Sequence, residues 1–124
     1  MNPINWFEIP VTDMPRAISF YEAVLEFDLK LNELPGMQMA WFPNDPKASG
    51  ATGCLMLAPT HYTPSHEGTL VYFSVKDIDA VLTRVPLHGG KVLQGKMALG
   101  GEHGFVAHFE DSEGNRVALH AVSG

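Results

Sequence analysis

Cys54 is the only cysteine in this 124-residue chain. No disulfide can form within it, which fits a reducing compartment. Cations are sparse: eight Lys and Arg face fourteen Asp and Glu, giving a formal net charge of -6. They are scattered singly from Arg16 to Arg116. A phosphate backbone is bound by clustered cations that displace its counterions, so nucleic acid is excluded as a partner. No window approaches the ~18 apolar residues of a membrane span. Residues 1–6 show no charged leader with an apolar stretch behind it, so no signal peptide is expected and the cytoplasm is the expected location. Nucleophile motifs are missing too. No Ser sits in a G-x-S-x-G elbow, and Gly89-Gly90 and Gly100-Gly101 lack the strand–loop–helix context of phosphate loops. Cys54 lies in an apolar run, where a thiol is buried and inert.

Against these absences stands an ordinary globular composition. Hydrophobic residues make up 45% and charged residues 18%, which excludes a disordered chain. The length suits one domain. Residues 4–11 read as a strand, and Asp13 then stands where a helix N-cap belongs, with Pro15 tolerated in the first turn. Ala17, Phe20, Tyr21 and Val24 share one helical face, predicting a helix over 13–25. Three strands follow at 27–33, 37–43 and 52–59. The order then repeats: a strand at 69–75, Asp77 as N-cap, a helix over 77–85 carrying Ile78, Val81, Leu82 and Val85, and strands at 91–97, 104–110 and 115–122. Pro86 and Gly89-Gly90 end the second helix.

Val11-Thr12-Asp13-Met14 recurs as Val75-Lys76-Asp77-Ile78, 64 positions on. The expected fold is α+β: two tandem β-α-β-β-β modules whose curved mixed sheets enclose a cleft. The single domain spans residues 1–124, with module one at 1–59, a polar connector at 60–67 and module two at 68–124.

The opening from Asn5 to Tyr21 and the turn Phe109-Glu110-Asp111-Ser112-Glu113-Gly114-Asn115-Arg116 carry a family resemblance. In order and with the duplication, they resemble the vicinal oxygen chelate superfamily: glyoxalases, bleomycin resistance proteins and extradiol dioxygenases. Ser112 stands where the family's turn has Pro. The resemblance implies the same paired modules, a homodimer and, in its enzymes, a divalent metal held by the first and last strands of each module. Aligned on the Val–x–Asp junctions, those four ligand positions fall on Trp6, Met56, Leu70 and Ala118. None of them suits a hard or borderline divalent ion, so no metal and no other cofactor is expected.

Strand alternation puts Glu8 on the face of Trp6, and His120 on the face of Ala118. Trp6, Glu8, Met56, Leu70, Tyr72, His108, Ala118 and His120 are therefore the expected ligand-binding residues, with Glu8 and His120 as a candidate acid–base pair. Met39 and Trp41 read as core. His61, His66, His88 and His103 lie in loops or at a helix end, where most histidines are solvated. The expected function is binding of a small apolar or aromatic molecule without a metal. The alternative is a lyase, isomerase or dioxygenase-type enzyme using displaced ligands (Glu8, His108 and His120) or the Glu8/His120 pair.

Overall fold

The computed structural model describes residues 3–124. The first two residues of the expected first module lie outside them. The chain runs β1 (Trp6–Pro10), α1 (Met14–Leu25), β2 (Lys30–Leu34), β3 (Met37–Trp41), β4 (Thr52–Leu57), β5 (Tyr72–Ser74), α2 (Ile78–Arg84), a 3₁₀ turn (Pro86–His88), β6 (Lys91–Ala98), β7 (Phe105–Glu110) and β8 (Arg116–Ala121). Two four-stranded mixed sheets result, ordered β1-β4-β3-β2 and β5-β8-β7-β6. In each, the first strand lies parallel to the last and the other neighbours are antiparallel. This is the α+β, two-module architecture that the sequence predicts.

The duplication extends to individual hydrogen bonds. Asp13 accepts the Arg16 N–H at 3.1 Å, and Asp77 accepts the Ala80 N–H at 3.1 Å. The Val11 N–H donates to the Met56 carbonyl and the Val75 N–H to the His120 carbonyl, both at 2.9 Å. Glu8 pairs with Cys54 where Tyr72 pairs with Ala118. The 64-residue offset thus fixes cap, junction and register alike.

In the first module α1 packs on β3 and β4. Its Phe20, Tyr21 and Val24 are buried, as are Ile9, Ala40 and Leu55 of the sheet. Tyr21, Phe7 and Phe27 each bring a ring against Phe42 at 5.6–6.0 Å. Period-2 alternation then sends Trp6, Glu8, Met39, Trp41, Cys54 and Met56 to the opposite face. Gly53 is required between these faces: a Cβ there would stand 2.1 Å from the Phe7 carbonyl oxygen. In the second module α2 packs on β6, β7 and β8. Ile78 and Val81 are buried, as are Phe73, Ala107, Phe109, Val117 and Leu119 of the sheet.

Several strand boundaries differ from expectation: β1, β3 and β4 stop short of residues 11, 43 and 59, and β2 starts after residue 27. β5 is only three residues long, so Leu70 precedes the strand rather than lying in it. The Val71 carbonyl still accepts the Ala118 N–H of β8, but the next N–H back along β8, that of Arg116, is taken by the Ser65 carbonyl. Residues 60–67 form an exposed loop, as expected, that is tied down by hydrogen bonds. The His61 N–H bonds the Ala58 carbonyl at 2.9 Å, the Ser65 N–H bonds Asn115 Oδ1 at 3.3 Å, and His66 meets Glu110 at 2.8 Å. The chain accordingly divides into two compact units between Pro64 and Ser65, inside the expected connector.

Candidate ligand-binding site

On the first module's helix-free face, one row crosses three strands: Glu8 on β1 pairs with Cys54 on β4, which pairs with Trp41 on β3. Met56 and Met39 form the next pair. Cys54, Met56 and Ala58 are buried together, with Met37 and Met39 packed against them. Trp6 and Trp41 rise at the margin of this apolar floor, 37% and 39% exposed. Their rings meet edge to face, centroids 5.7 Å apart and planes 78° apart. Trp41, read from sequence as core, is thus a surface aromatic. It faces away from α1, and its partner is another indole rather than the core.

Glu8 projects from this floor, and the Tyr62 hydroxyl donates to its Oε1. Burial, this hydrogen bond and the charge of Glu8 all raise the Tyr62 phenol above its ordinary range. Its proton therefore stays on, and the carboxylate stays an acceptor. Burial, and then the charge of Glu8, push the Cys54 thiol up to about 12, against the Trp6 indole N–H that hydrogen-bonds its sulfur. Cys54 is a neutral floor atom, as its apolar strand predicts. Tyr62 was invisible to sequence reasoning. It stands 54 positions from Glu8 in a stretch that reads as loop, and its being the one phenol in that stretch was the available signal.

The second module's helix-free face is polar where the first is apolar. Tyr72, 50% exposed, sets its ring 6.1 Å from that of His108 at 87°. Arg116 Nη1 donates to His108 Nδ1 at 2.8 Å. Burial and the Arg116 charge lower the His108 pKa, so the ring stays neutral with its proton on Nε2. His120 Nε2 donates to the His103 carbonyl at 2.8 Å. Gly104, with φ 84°, makes that approach possible, since a Cβ there would stand 2.3 Å from the Ala121 carbonyl oxygen and 3.1 Å from His120 Nε2.

Of the two residues expected as an acid–base pair, Glu8 accepts the Tyr62 hydroxyl and His120 donates to the His103 carbonyl. Ala118 is buried at the centre of its sheet, beside Tyr72 and His108 in register. The repeat also revises one position. Met56 is the counterpart of His120, whereas the counterpart of Ala118 is Cys54. The four positions compared with metal ligands are then Trp6, Cys54, Leu70 and Ala118. One cysteine is their single donor side chain, and they hold no carboxylate or imidazole, so the set does not fit a divalent ion. Among the described residues, no three or more His, Cys, Asp and Glu side chains form a group able to hold a metal. No helix among them is long and apolar enough to cross a membrane.

Solved structures share the fold. Glyoxalase I from Zea mays superposes with a TM-score of 0.69 at 22% identity, over 96% of this chain and 46% of that one. The chain thus spans about half the length of the maize protein. A glyoxalase-related enzyme from Fulvimarina pelagi gives 0.71 at 11% identity over 98% and 88% of the two chains. TnmS3, an antibiotic binding protein from Streptomyces sp. CB03234, gives 0.67 at 24% over 99% and 98%. At these identities the likeness is one of fold. No curated protein matches the chain in sequence. The family model described as the glyoxalase/bleomycin resistance protein/dioxygenase superfamily matches residues 3–119, nearly the whole of it. By that match, and by the paired modules that carry it, the chain belongs to the glyoxalase/bleomycin resistance protein/dioxygenase superfamily.

Proposed function

We propose that this protein binds a small apolar or aromatic molecule without using a divalent metal, and that the helix-free face of its first module makes the principal contacts. The observation that carries this reading is the Trp6–Trp41 pair, partly exposed and edge to face over a methionine- and cysteine-lined floor. Large exposed aromatics beside a few polar groups are the usual make-up of a small-molecule site. On the first module we add Glu8 and Met56 to the proposed ligand-binding residues; on the second, taken by itself, we propose Leu70, Tyr72, His108, Ala118 and His120. The antibiotic-binding role of a protein of the same fold is consistent with it. A metal-dependent lyase, isomerase or dioxygenase is less well supported, because the donor set does not suit the ion. Acid–base chemistry by Glu8 and His120 is less well supported because each already has another partner. We place the protein in the cytoplasm, as a homodimer of single glyoxalase-like domains.

Both tryptophans of the chain lie on the proposed surface. Intrinsic fluorescence therefore reports on it directly. A panel of planar aromatic compounds, titrated after exhaustive chelation, should include one that shifts or quenches this emission saturably. Trp6→Phe and Trp41→Phe should each weaken that ligand about tenfold, the ~1–3 kcal/mol of one aromatic stacking contact. Binding that appears only after Zn²⁺, Mn²⁺ or Ni²⁺ is restored, with stoichiometric metal by elemental analysis, would overturn the metal-free reading.

A further inference from the structure

The hydrogen-bonding inventory of this face is lopsided. The Trp6 indole hydrogen-bonds Cys54, and the Tyr62 hydroxyl is directed at Glu8. Two of the three ring donors are thus used inside the cluster, and the third is the indole N–H of Trp41. As acceptors a ligand meets the second carboxylate oxygen of Glu8 and the lone pairs of Tyr62. Beside these stand the faces of the aromatic rings, which carry the negative part of the ring quadrupole.

Charge points the same way. Among the described residues no Lys, Arg or His forms an ion pair with Glu8. Lys96 pairs with Asp79, and His66 meets Glu110. An anionic or acceptor-rich ligand would meet a carboxylate with few donors to offset it. The whole chain, at -6, adds an attractive field for a cation. The two indole planes stand 78° apart, so they wall a corner rather than a flat shelf. A corner of rings with one carboxylate beside it is the arrangement that stabilises ammonium groups, through cation–π attraction and one charge-assisted hydrogen bond.

We propose that the helix-free face of the first module takes an organic cation: a flat apolar body that bears a protonated or quaternary nitrogen. The body packs against Met39 and the part-exposed rings of Trp6 and Trp41, above the buried Cys54 and Met56, and the nitrogen sits beside Glu8. Tyr62 is a positioning residue here, because its hydroxyl fixes the carboxylate that the ligand meets. The proposal rests on the binding reading above and narrows it to one ligand class.

Three probes of one shape test it by isothermal titration calorimetry on the full chain: 1-naphthylmethylamine, 1-naphthylmethanol and 1-naphthoate. The amine should bind at least about tenfold more tightly than the alcohol, and the carboxylate most weakly. Glu8→Gln should abolish the preference for the amine over the alcohol, weakening the amine at least about tenfold more than the alcohol. In the unmodified protein, raising NaCl from 20 to 500 mM should weaken the amine several-fold and spare the alcohol, a readout that needs no variant. Equal affinity of amine and alcohol would overturn the cation proposal and leave the apolar site standing. An amine preference that survives Glu8→Gln would also overturn it. Failure of all three probes to bind would overturn the site itself.

Discussion

At the scale of single residues, the two modules put different chemistry on equivalent positions. Glu8 and Tyr72 are counterparts, as are Met56 and His120, and Cys54 and Ala118. Parity along β1 was enough to read Trp6 and Glu8 as neighbours on one face. Parity says nothing of what comes from outside the strand, so Tyr62 on Glu8 and His103 on His120 were not legible. The Arg116–His108 contact is another case. The two sit on adjacent strands but not in directly opposed register, since His108 pairs with Ala118 and Arg116 with Glu110. Here the chemistry has a pH signature. His108 is held below the ordinary 6.5, chiefly by burial and secondly by Arg116. As pH falls through that value the unfolded chain takes up the proton first, so protonation favours unfolding and stability declines on the acid side. NMR titration should show His108 protonating below ordinary histidine, and Arg116→Gln should move it upward only part of the way, because burial remains. No upward movement in the variant would show that Arg116 does not hold the ring neutral.

At the scale of elements, both helices begin where Asp13 and Asp77 predict, because a cap is a local event. The β5 strand was overestimated because its length is set by competition: the connector takes the Arg116 N–H that a longer β5 would need. The close approach of β1 to β4 is likewise a property of the pair. Nothing in Gly53 announces that the Phe7 backbone and ring lie against it, with Cγ 2.7 Å from where a Cβ would be. Gly53→Ala is expected to lose roughly 1–3 kcal/mol or more, because backbone on both sides must move. Gly68→Ala, where a Cβ meets nothing within 4 Å, should be nearly neutral. Urea denaturation of the two variants measures both. Equal midpoints would mean that β1 shifts away from β4 at little cost.

At the scale of the whole molecule, the duplication was legible because the same junction recurs at one offset, and the fold followed from it. The site was legible only where the repeat or strand parity reached it. Each sheet ends in an outer strand that carries exposed apolar residues: Leu31 and Leu34 on β2, Val92 and Met97 on β6. Such edges are commonly covered by pairing. Sedimentation equilibrium at micromolar concentration should give twice the 13.6 kDa chain mass, and a monomer there would count against the proposed dimer. The sheet order has one more consequence, for biosynthesis. Each sheet sets its last strand inside, between its first and third. The first module holds all its strands once Leu57 has left the ribosome. In the second, β5 has no neighbour until Arg116–Ala121 is made. At ~5–20 residues per second, that leaves a three-residue strand and a β6–β7 hairpin unjoined for a few seconds of translation. A ribosome stalled in the Asp111–Asn115 turn would hold a finished sheet and an open one on the same chain, and it is the open one that a chaperone would have to cover.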